Sequence, residues 1–322
     1  MSAPNYKQSI AKRFAILTVL LALVSGIAAL ASVHWFAELF SHFKPHYTVF
    51  ALLCVFGLLL VRAWRWAALA GALAAWNGYP VAHHWLQDAA PVAAVSHHVT
   101  VFHFNVGLHH EQPSRVSAYL RRRAKLIDVV VLLEATTQFD PILDEIKDIF
   151  PHQIKYLEDS PFGIALASRY PLASGHVSFK PLRLFPHIEA HIKLPERSEP
   201  LAIYALHAPP PISGAMAHDR NAKLDYVSQA VAKQPQATPI VVGDFNLTPW
   251  SPYFEKFATG SGLRDARATR RFDHTWPVTF NNANLGLAID HSFAHPSLPL
   301  VKREIGPDLG SDHLPVTVTF GY

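Results

Sequence analysis

The sequence contains a single cysteine, Cys54, in 322 residues. No intrachain disulfide can form, and no cysteine-based zinc site can be built. The fold therefore does not depend on oxidation, and an extracytoplasmic location stays open. Charge is also scarce. The chain has 28 basic and 24 acidic side chains, for a net charge of +4 with histidine neutral. So small a surplus is no argument for a polyanionic partner. There is no repeat, which excludes a repeat array, and no low-complexity tract. Apolar residues, by contrast, are abundant: half of the chain is hydrophobic and the mean hydropathy is +0.14. Most of the excess lies at the N-terminus. The 20 histidines are a further reservoir of charge, filling below about pH 6.5.

Residues 1–13 are polar and carry Lys7, Lys12 and Arg13. Phe14–Val33 is then a charge-free apolar run of the length a bilayer core requires. A signal peptide would have a shorter core followed by a polar chain. Here a second run follows at Tyr47–Val61, ended by Arg62 and Arg65 with Trp64 and Trp66 as interfacial aromatics. Trp35–His46 connects the two. A third run, Ala67–Ala82, is Ala-rich and interrupted by Asn77, Gly78 and Pro80, with Trp85 after it. Its alternative is a helix lying on a surface. The expectation is an uncleaved membrane anchor over residues 1–86, with three transmembrane helices at 14–33, 47–61 and 67–85. Basic residues before the first run and between the second and third place those segments in the cytoplasm. Three spans make the protein a multi-pass inner-membrane protein with everything after about Gln87 on the periplasmic side. If the third run does not span, the rest is cytoplasmic.

Residues 87–98 read as a small-residue linker. From Val99 to Tyr322, strand and helix patterns alternate as in a compact α/β or α+β domain. Strands are expected at Val99–Asn105, Asp128–Leu133, Gly163–Ser168, His176–Phe179, Ile188–Leu194, Leu201–Leu206, Ile240–Val242, Ala288–Phe293 and Val316–Phe320. Helices are expected at Gln112–Leu126, Phe139–Ile149, Ala217–Ala232 and near Pro252–Ala258.

Several of these apolar strands end in a residue capable of chemistry. They end at Asn105, at Glu134, at His207, at Asp244 with Asn246, and at Asp290. The loop before the last strand carries Asp312 and His313. One such strand end is an ordinary turn. Several, all drawn from Asn, Asp, Glu and His, point to one site assembled at one edge of the sheets.

The series FNVG at Asn105, LLE at Glu134, LHAPPP at His207, GDFN at Asp244, TW at Thr275–Trp276, IDH at Asp290 and SDHLP at Asp312–His313 resembles the endonuclease/exonuclease/phosphatase superfamily, the DNase I-like fold. The match runs from about Val99 to Tyr322 and leaves out the apolar segments. The resemblance implies a four-layer sandwich of two packed β-sheets flanked by helices, and metal-dependent hydrolysis of a phosphate ester. It implies Mg²⁺, with Mn²⁺ as a substitute, held by Asn105 and Glu134 with Asp312 nearby. It gives Asp244 the attacking water, His207 and Asn246 the phosphoryl oxygens, and His313 the face opposite the scissile phosphate, oriented by Asp290. Arg220 and Asn221 at the start of the helix after His207 support substrate binding, and Trp276 walls the site.

The chemistry is consistent with this. Oxygen donors suit Mg²⁺, and a carboxylate beside an imidazole fixes its tautomer and favours its cation. The substrate class stays open between a nucleic acid and a lipid, inositol or sugar phosphate. A catalytically inactive membrane scaffold is the reading from another class. The sequence names no protein partner. His97–His98 and His109–His110 read as solvated surface, as do Arg121–Arg123. Arg264, Asp265, Arg267, Arg270 and Arg271 form a mixed-charge loop that could meet a headgroup or a nucleic-acid backbone.

Overall fold

A computed structural model describes residues 6–86, 95–267, 274–276, 279–280, 283–284 and 286–322. The chain divides into two compact units. The first comprises Met1–Gln87 with Pro249–Tyr253, and the second Asp88–Thr248 with Phe254–Tyr322.

The first unit holds helices α1 (Tyr6–Ala28), α2 (Trp35–Ser41), α3 (Lys44–Leu60) and α4 (Trp64–Leu86). Small residues line the helix contacts, among them Ala15, Ala51, Ala67, Ala70 and Ala74. They let the backbones approach closely, as they do in helix pairs within lipid. A polar clamp joins α4 to α1, with Asn77 Nδ2 donating to Ser25 Oγ at 2.9 Å. Leu17, Leu20, Leu23, Phe50, Leu53 and Phe56 face outward.

Among the described residues only α1 is by itself long and apolar enough to cross a membrane; α2 and α3 together pass the same test but meet at a bend of 57°. The third expected span is a continuous 23-residue helix, α4, with Pro80 inside it. It does not reach that hydropathy. Alanine adds little apolar character, and Asn77, His83 and His84 subtract from it.

The second unit contains two six-stranded sheets. The first has the order β13-β14-β1-β2-β4-β3, with β1 His98–Asn105, β2 Val129–Leu133, β3 His152–Tyr156, β4 Ile164–Ser168, β13 Leu300–Ile305 and β14 Val316–Gly321. The second has the order β5-β6-β7-β8-β12-β9, with β5 Leu172–Ser178, β6 His187–Ile192, β7 Leu201–His207, β8 Ile240–Asp244, β9 Arg264–Asp265 and β12 Asp290–Ala294. A small hairpin joins β10 (Thr279–Phe280) to β11 (Ala283–Asn284). Pairs β1–β2 and β7–β8 are parallel, and the other pairs are antiparallel.

Strand alternation builds the layers. Val99 and Val101, Val129, Val131 and Leu133, Leu201, Ile203 and Ala205, and Ile240 and Val242 all enter the core between the sheets. The opposite parity of β1 and β2, with Phe102, Phe104, Val130 and Leu132, packs outward against α5 (Ser114–Arg122) and α6 (Asp140–Glu145). On the other side lie α7 (Gly214–Ala232) and α8 (Pro252–Ser261). There Phe254 and Phe257 of α8 meet Phe293 of β12 at 5.1 and 4.9 Å between ring centroids. The four-layer α/β sandwich is therefore present.

Two of the longer strands are not legible in the sequence, besides the two-residue β9, β10 and β11. HQIKY (β3) and LVKREI (β13) are largely polar, and their burial is partial. The expected helix Gln112–Leu126 shortens to α5, which starts after Pro113. Phe139–Ile149 shortens to α6, preceded by the 3₁₀ turn Thr137–Phe139. The expected His176–Phe179 strand lengthens to β5, whose exposed residues mark it as an edge.

Candidate active site

The strand parity that fills the core also aims the polar ends. In β1, Asn105 follows Val99, Val101 and His103 on the face between the sheets; in β7, His207 follows Ile203 and Ala205; in β8, Asp244 follows Ile240 and Val242. Register then sets them side by side. His207 pairs with Asp244, and Asp244 with Asp290 across the antiparallel β12. Gly243 is required in this line. Its φ is +140°, and a Cβ there would occupy the position of the Leu206 carbonyl oxygen on β7. Glu134 and Asn246 adopt left-handed backbone, φ 56° and 50°, just past the ends of β2 and β8.

Asn105 lies at the centre. Its Nδ2 donates to Glu134 Oε1 at 2.9 Å and to Asp244 Oδ2 at 3.1 Å, while its Oδ1 accepts from Gly107 N at 3.1 Å. The amide thus bridges two carboxylates rather than presenting its oxygen. Glu134 Oε2 accepts from Leu108 N at 2.8 Å, and Asp244 Oδ1 from Asn246 N at 2.8 Å. His207 Nδ1 lies 2.9 Å from the Pro161 carbonyl. A carbonyl only accepts, so Nδ1 carries the proton. Nε2 then faces Glu134 Oε1 at 3.7 Å, Asp244 Oδ2 at 3.6 Å and Asn246 Nδ2 at 3.4 Å.

His313 Nδ1 is 2.8 Å from Asp290 Oδ2, and its Nε2 is 3.7 Å from Asp244 Oδ2. Burial works against the imidazolium, but Asp290 and then Asp244 outweigh it and raise His313 to about 10. Burial likewise opposes ionisation of Asp290, yet His313 holds that carboxyl below its ordinary value. Asp244 goes the other way. Burial and the adjacent Asp290 charge push it up to about 6.

These residues fit a hard cation. Asp244, Asp290 and His313 place ligand-capable atoms within 4.8 Å of one another. Asp290 and His313 already satisfy each other, so the oxygen donors around Asn105 and Glu134 are the better seat for a magnesium-like ion. Asp290 Oδ1 is buried without a hydrogen-bond partner, and Asp244 is raised first by burial and then by the Asp290 charge, which a nearby cation would offset.

The remaining expected residues divide. Trp276 is half-buried at the rim, with Nε1 donating to the exposed Asp312 Oδ2 at 3.1 Å. Arg220 is corrected. It is fully buried on α7, donating to Asn221 Oδ1 at 2.9 Å and to the Asn246 carbonyl at 3.3 Å. Its guanidinium is engaged by these bonds, so Arg220, with Asn221 as its partner, supports the Asn246 turn instead. His110 is also corrected from surface to interior, against Phe139 at 5.5 Å. The basic candidates are largely paired. Arg121 bonds Asp148, Arg123 bonds Glu304, and Arg267 bonds Asp265. Arg270 and Arg271 lie outside the described residues.

Sequence reasoning missed a buried network beneath Asp290. Arg303 on β13 donates to Ser292 Oγ at 3.3 Å and to the Asp290 carbonyl at 3.2 Å, and His103 Nε2 meets the same Ser292 hydroxyl at 2.9 Å. His103 and Ser292 carry the inward strand parity and could have been found by it. Arg303 sits in a polar strand with no such signal.

Two sheets with carboxylates, imidazoles and amides gathered at one edge define a phosphoester hydrolase site of the metal-dependent class. A family model described as the endonuclease/exonuclease/phosphatase family matches residues 102–313. The chain belongs to this family, and so to the metal-dependent phosphoester hydrolases. No curated protein matches it in sequence. Solved structures share its fold. An endonuclease/exonuclease/phosphatase from Beutenbergia cavernae is 19% identical over 70% of this chain and 71% of its own, with a TM-score of 0.57. The beta toxin of Staphylococcus aureus, as a double mutant with bound magnesium ions, is 18% identical over 70% and 100%, also at 0.57. TDP2 of D. rerio, complexed with a single-strand DNA product, is 16% identical over 70% and 99%, at 0.56.

Proposed function

We propose that the protein is a membrane-anchored, Mg²⁺-dependent phosphodiesterase. The observation that carries this is the register His207–Asp244–Asp290, which gathers the polar strand ends into one network with Asn105, Glu134 and His313. In this reading Glu134 and Asp312 would hold the cation together with Asn105, whose amide would turn to present Oδ1 where Nδ2 now bridges Glu134 and Asp244, with Mn²⁺ as a substitute. When bound, it would neutralise phosphoryl charge and favour attack by water. Asp244 orients that water and accepts its proton. The water oxygen bonds to phosphorus as the ester P–O bond breaks; the leaving oxygen departs with the bonding pair and takes a proton from solvent, to which Asp244 returns its own. The His313 imidazolium, held by Asp290, offers Nε2–H to the charge that develops on the phosphoryl oxygens. Asn246 Nδ2 and, with a proton also on Nε2, His207 would donate to the remaining oxygens.

A diester is favoured over a monoester. Beyond His313 the site exposes little fixed positive charge, since Arg220 is buried beneath Asn246; a monoanionic diester needs less of it. Neighbours of this fold named with bound magnesium and with a single-strand DNA product also support the reading. The complete set of polar strand ends argues against an inactive scaffold.

The anchor reading rests on α1 and the basic residues before it. An odd number of spans would carry the catalytic unit to the periplasmic face, as in a multi-pass inner-membrane protein.

The test is hydrolysis of bis(p-nitrophenyl) phosphate by the full chain in detergent, with Mg²⁺ and with chelator. Metal-dependent turnover is expected, falling at least about 100-fold in Glu134→Ala and His313→Ala. Undiminished turnover in chelator or in both variants would overturn it.

A further inference from the structure

The catalytic edge carries a second feature that the hydrolytic site does not use. The β5–β6 hairpin pairs Ser178 with His187, and His187 lies beside Leu206. Loop 179–186 therefore emerges at the same edge as His207, and loop 208–213 leaves from His207 itself. Among the described residues of the second unit, the large apolar side chains standing exposed are Leu126, Phe179, Leu184 and Ile212. Three of these four belong to the two loops: Leu184 is 72% exposed, Ile212 74% and Phe179 39%. Scattered exposed apolar residues need no explanation, but their concentration beside a site for a charged phosphate does.

Within the two loops the charge has one sign. Lys180 and Arg183 are exposed in the first loop, and no acid occurs from Phe179 to Pro186 or from Ala208 to His218. The adjoining loop carries two acids, which accept from nearby hydroxyls. Glu158 accepts from Ser160, and Asp159 from Thr137.

The first loop is also held in place. The buried Lys223 donates from Nζ to the carbonyls of Lys180 at 2.9 Å and Phe185 at 2.6 Å, and to His187 Nδ1 at 2.7 Å. Phe185 turns inward onto Phe162, 4.7 Å between centroids, and Phe162 lies 6.3 Å from the His207 ring. Pro209–Pro211 stiffen the second loop. Phe185 is thus anchored to the site while Arg183 and Leu184 stay outside. Aliphatic tips flanked by cations are the chemistry of an interfacial contact with anionic lipid. A nucleic-acid track would instead need free cations along the surface, and Arg121, Arg123 and Arg267 are spent on ion pairs.

We propose that the rim formed by loops 179–186 and 208–213 docks on a bilayer surface bearing anionic headgroups. Resting on the phosphodiesterase reading, the diester taken by the site is then a lipid phosphate in that surface.

Two arms test this, both with the full chain in nanodiscs of phosphatidylcholine, with or without phosphatidylglycerol. In the first, Cys54→Ser removes the only cysteine, and Leu184→Cys carries an environment-sensitive nitrobenzoxadiazole label. A blue-shifted emission, quenched by doxyl-labelled lipid and more strongly with phosphatidylglycerol, is expected. An unquenched, water-like emission in both lipids overturns the docking. In the second, the double variant Leu184→Asp, Ile212→Asp is expected to lose roughly tenfold or more on phosphatidylglycerol and to keep the parent rate on bis(p-nitrophenyl) phosphate. Undiminished lipid hydrolysis, or single-stranded DNA cleaved in preference to lipid and indifferently to the variant, overturns the lipid assignment. If the soluble diester is not hydrolysed, the phosphodiesterase reading fails, while the fluorescence arm still decides the docking.

Discussion

Asp244 is where burial and charge oppose ionisation most directly. It is enclosed beside Asp290, and both effects favour its protonated form, raising it to about 6. The folded chain therefore binds a proton between about pH 4 and pH 6 that the unfolded chain releases. Stability from this residue falls as pH rises through that window. In metal-free buffer, Asp244→Asn should raise Tm by about 3–8 °C at pH 8 and by much less at pH 5. Thermal unfolding followed by circular dichroism reads this directly, and a variant less stable than the parent at pH 8 would refute it. His313 stabilises through its charged form instead. Its imidazolium is held to about 10 by Asp290 and Asp244 against burial. The stabilisation is full below about pH 6.5 and is lost as pH rises through about 10. His313→Gln should flatten the alkaline decline in stability between pH 7 and pH 10.

The central element is the parallel pair β7–β8. Its apolar residues fill the space between the sheets, and its ends supply His207 and Asp244. The pair tolerates no side chain at Gly243, because the Leu206 carbonyl occupies that position and the φ of +140° is strained for any other residue. Gly243→Ala should cost roughly 3 kcal/mol or more. It should also lower activity beyond the loss of folded protein, since the displacement falls one residue from Asp244. Urea unfolding and turnover per folded molecule separate the two effects, and a loss of stability below about 1 kcal/mol would contradict the steric argument. The GDFN stretch makes this element legible in the sequence. A continuous apolar run, a glycine and a carboxylate read as a buried strand delivering a polar end. The strands β3 and β13 are not legible, because half-buried edge strands have a mixed pattern that loops share.

Across the whole molecule, the two units differ in what their surfaces face. Nearly all large exposed apolar side chains of the described residues belong to the first unit, on α1 through α4. That distribution suits lipid contact, and the protein should remain in the membrane fraction after alkaline carbonate extraction. Recovery in the soluble fraction would argue for a cleaved leader or a surface-bound helix instead.

What is local or periodic could be read from the residues alone. Apolar runs marked β1, β7 and β8 as strands, and the polar residues that close them marked Asn105, His207 and Asp244 as strand ends. The motif series carried the family. The remaining features depend on neighbours remote in the chain, so they emerge only on folding. Asn105 bridges two carboxylates because β1 and β2 bring Glu134 beside it and the packed sheets bring Asp244 opposite. Arg220 looked like a substrate ligand but is enclosed beneath Asn246, since burial of a helix face is set by what packs on it. Leu184 and Ile212 belong to loops 179–186 and 208–213, well apart in sequence. They become parts of one rim only because the register of β5, β6 and β7 brings both loops to the edge where His207 ends.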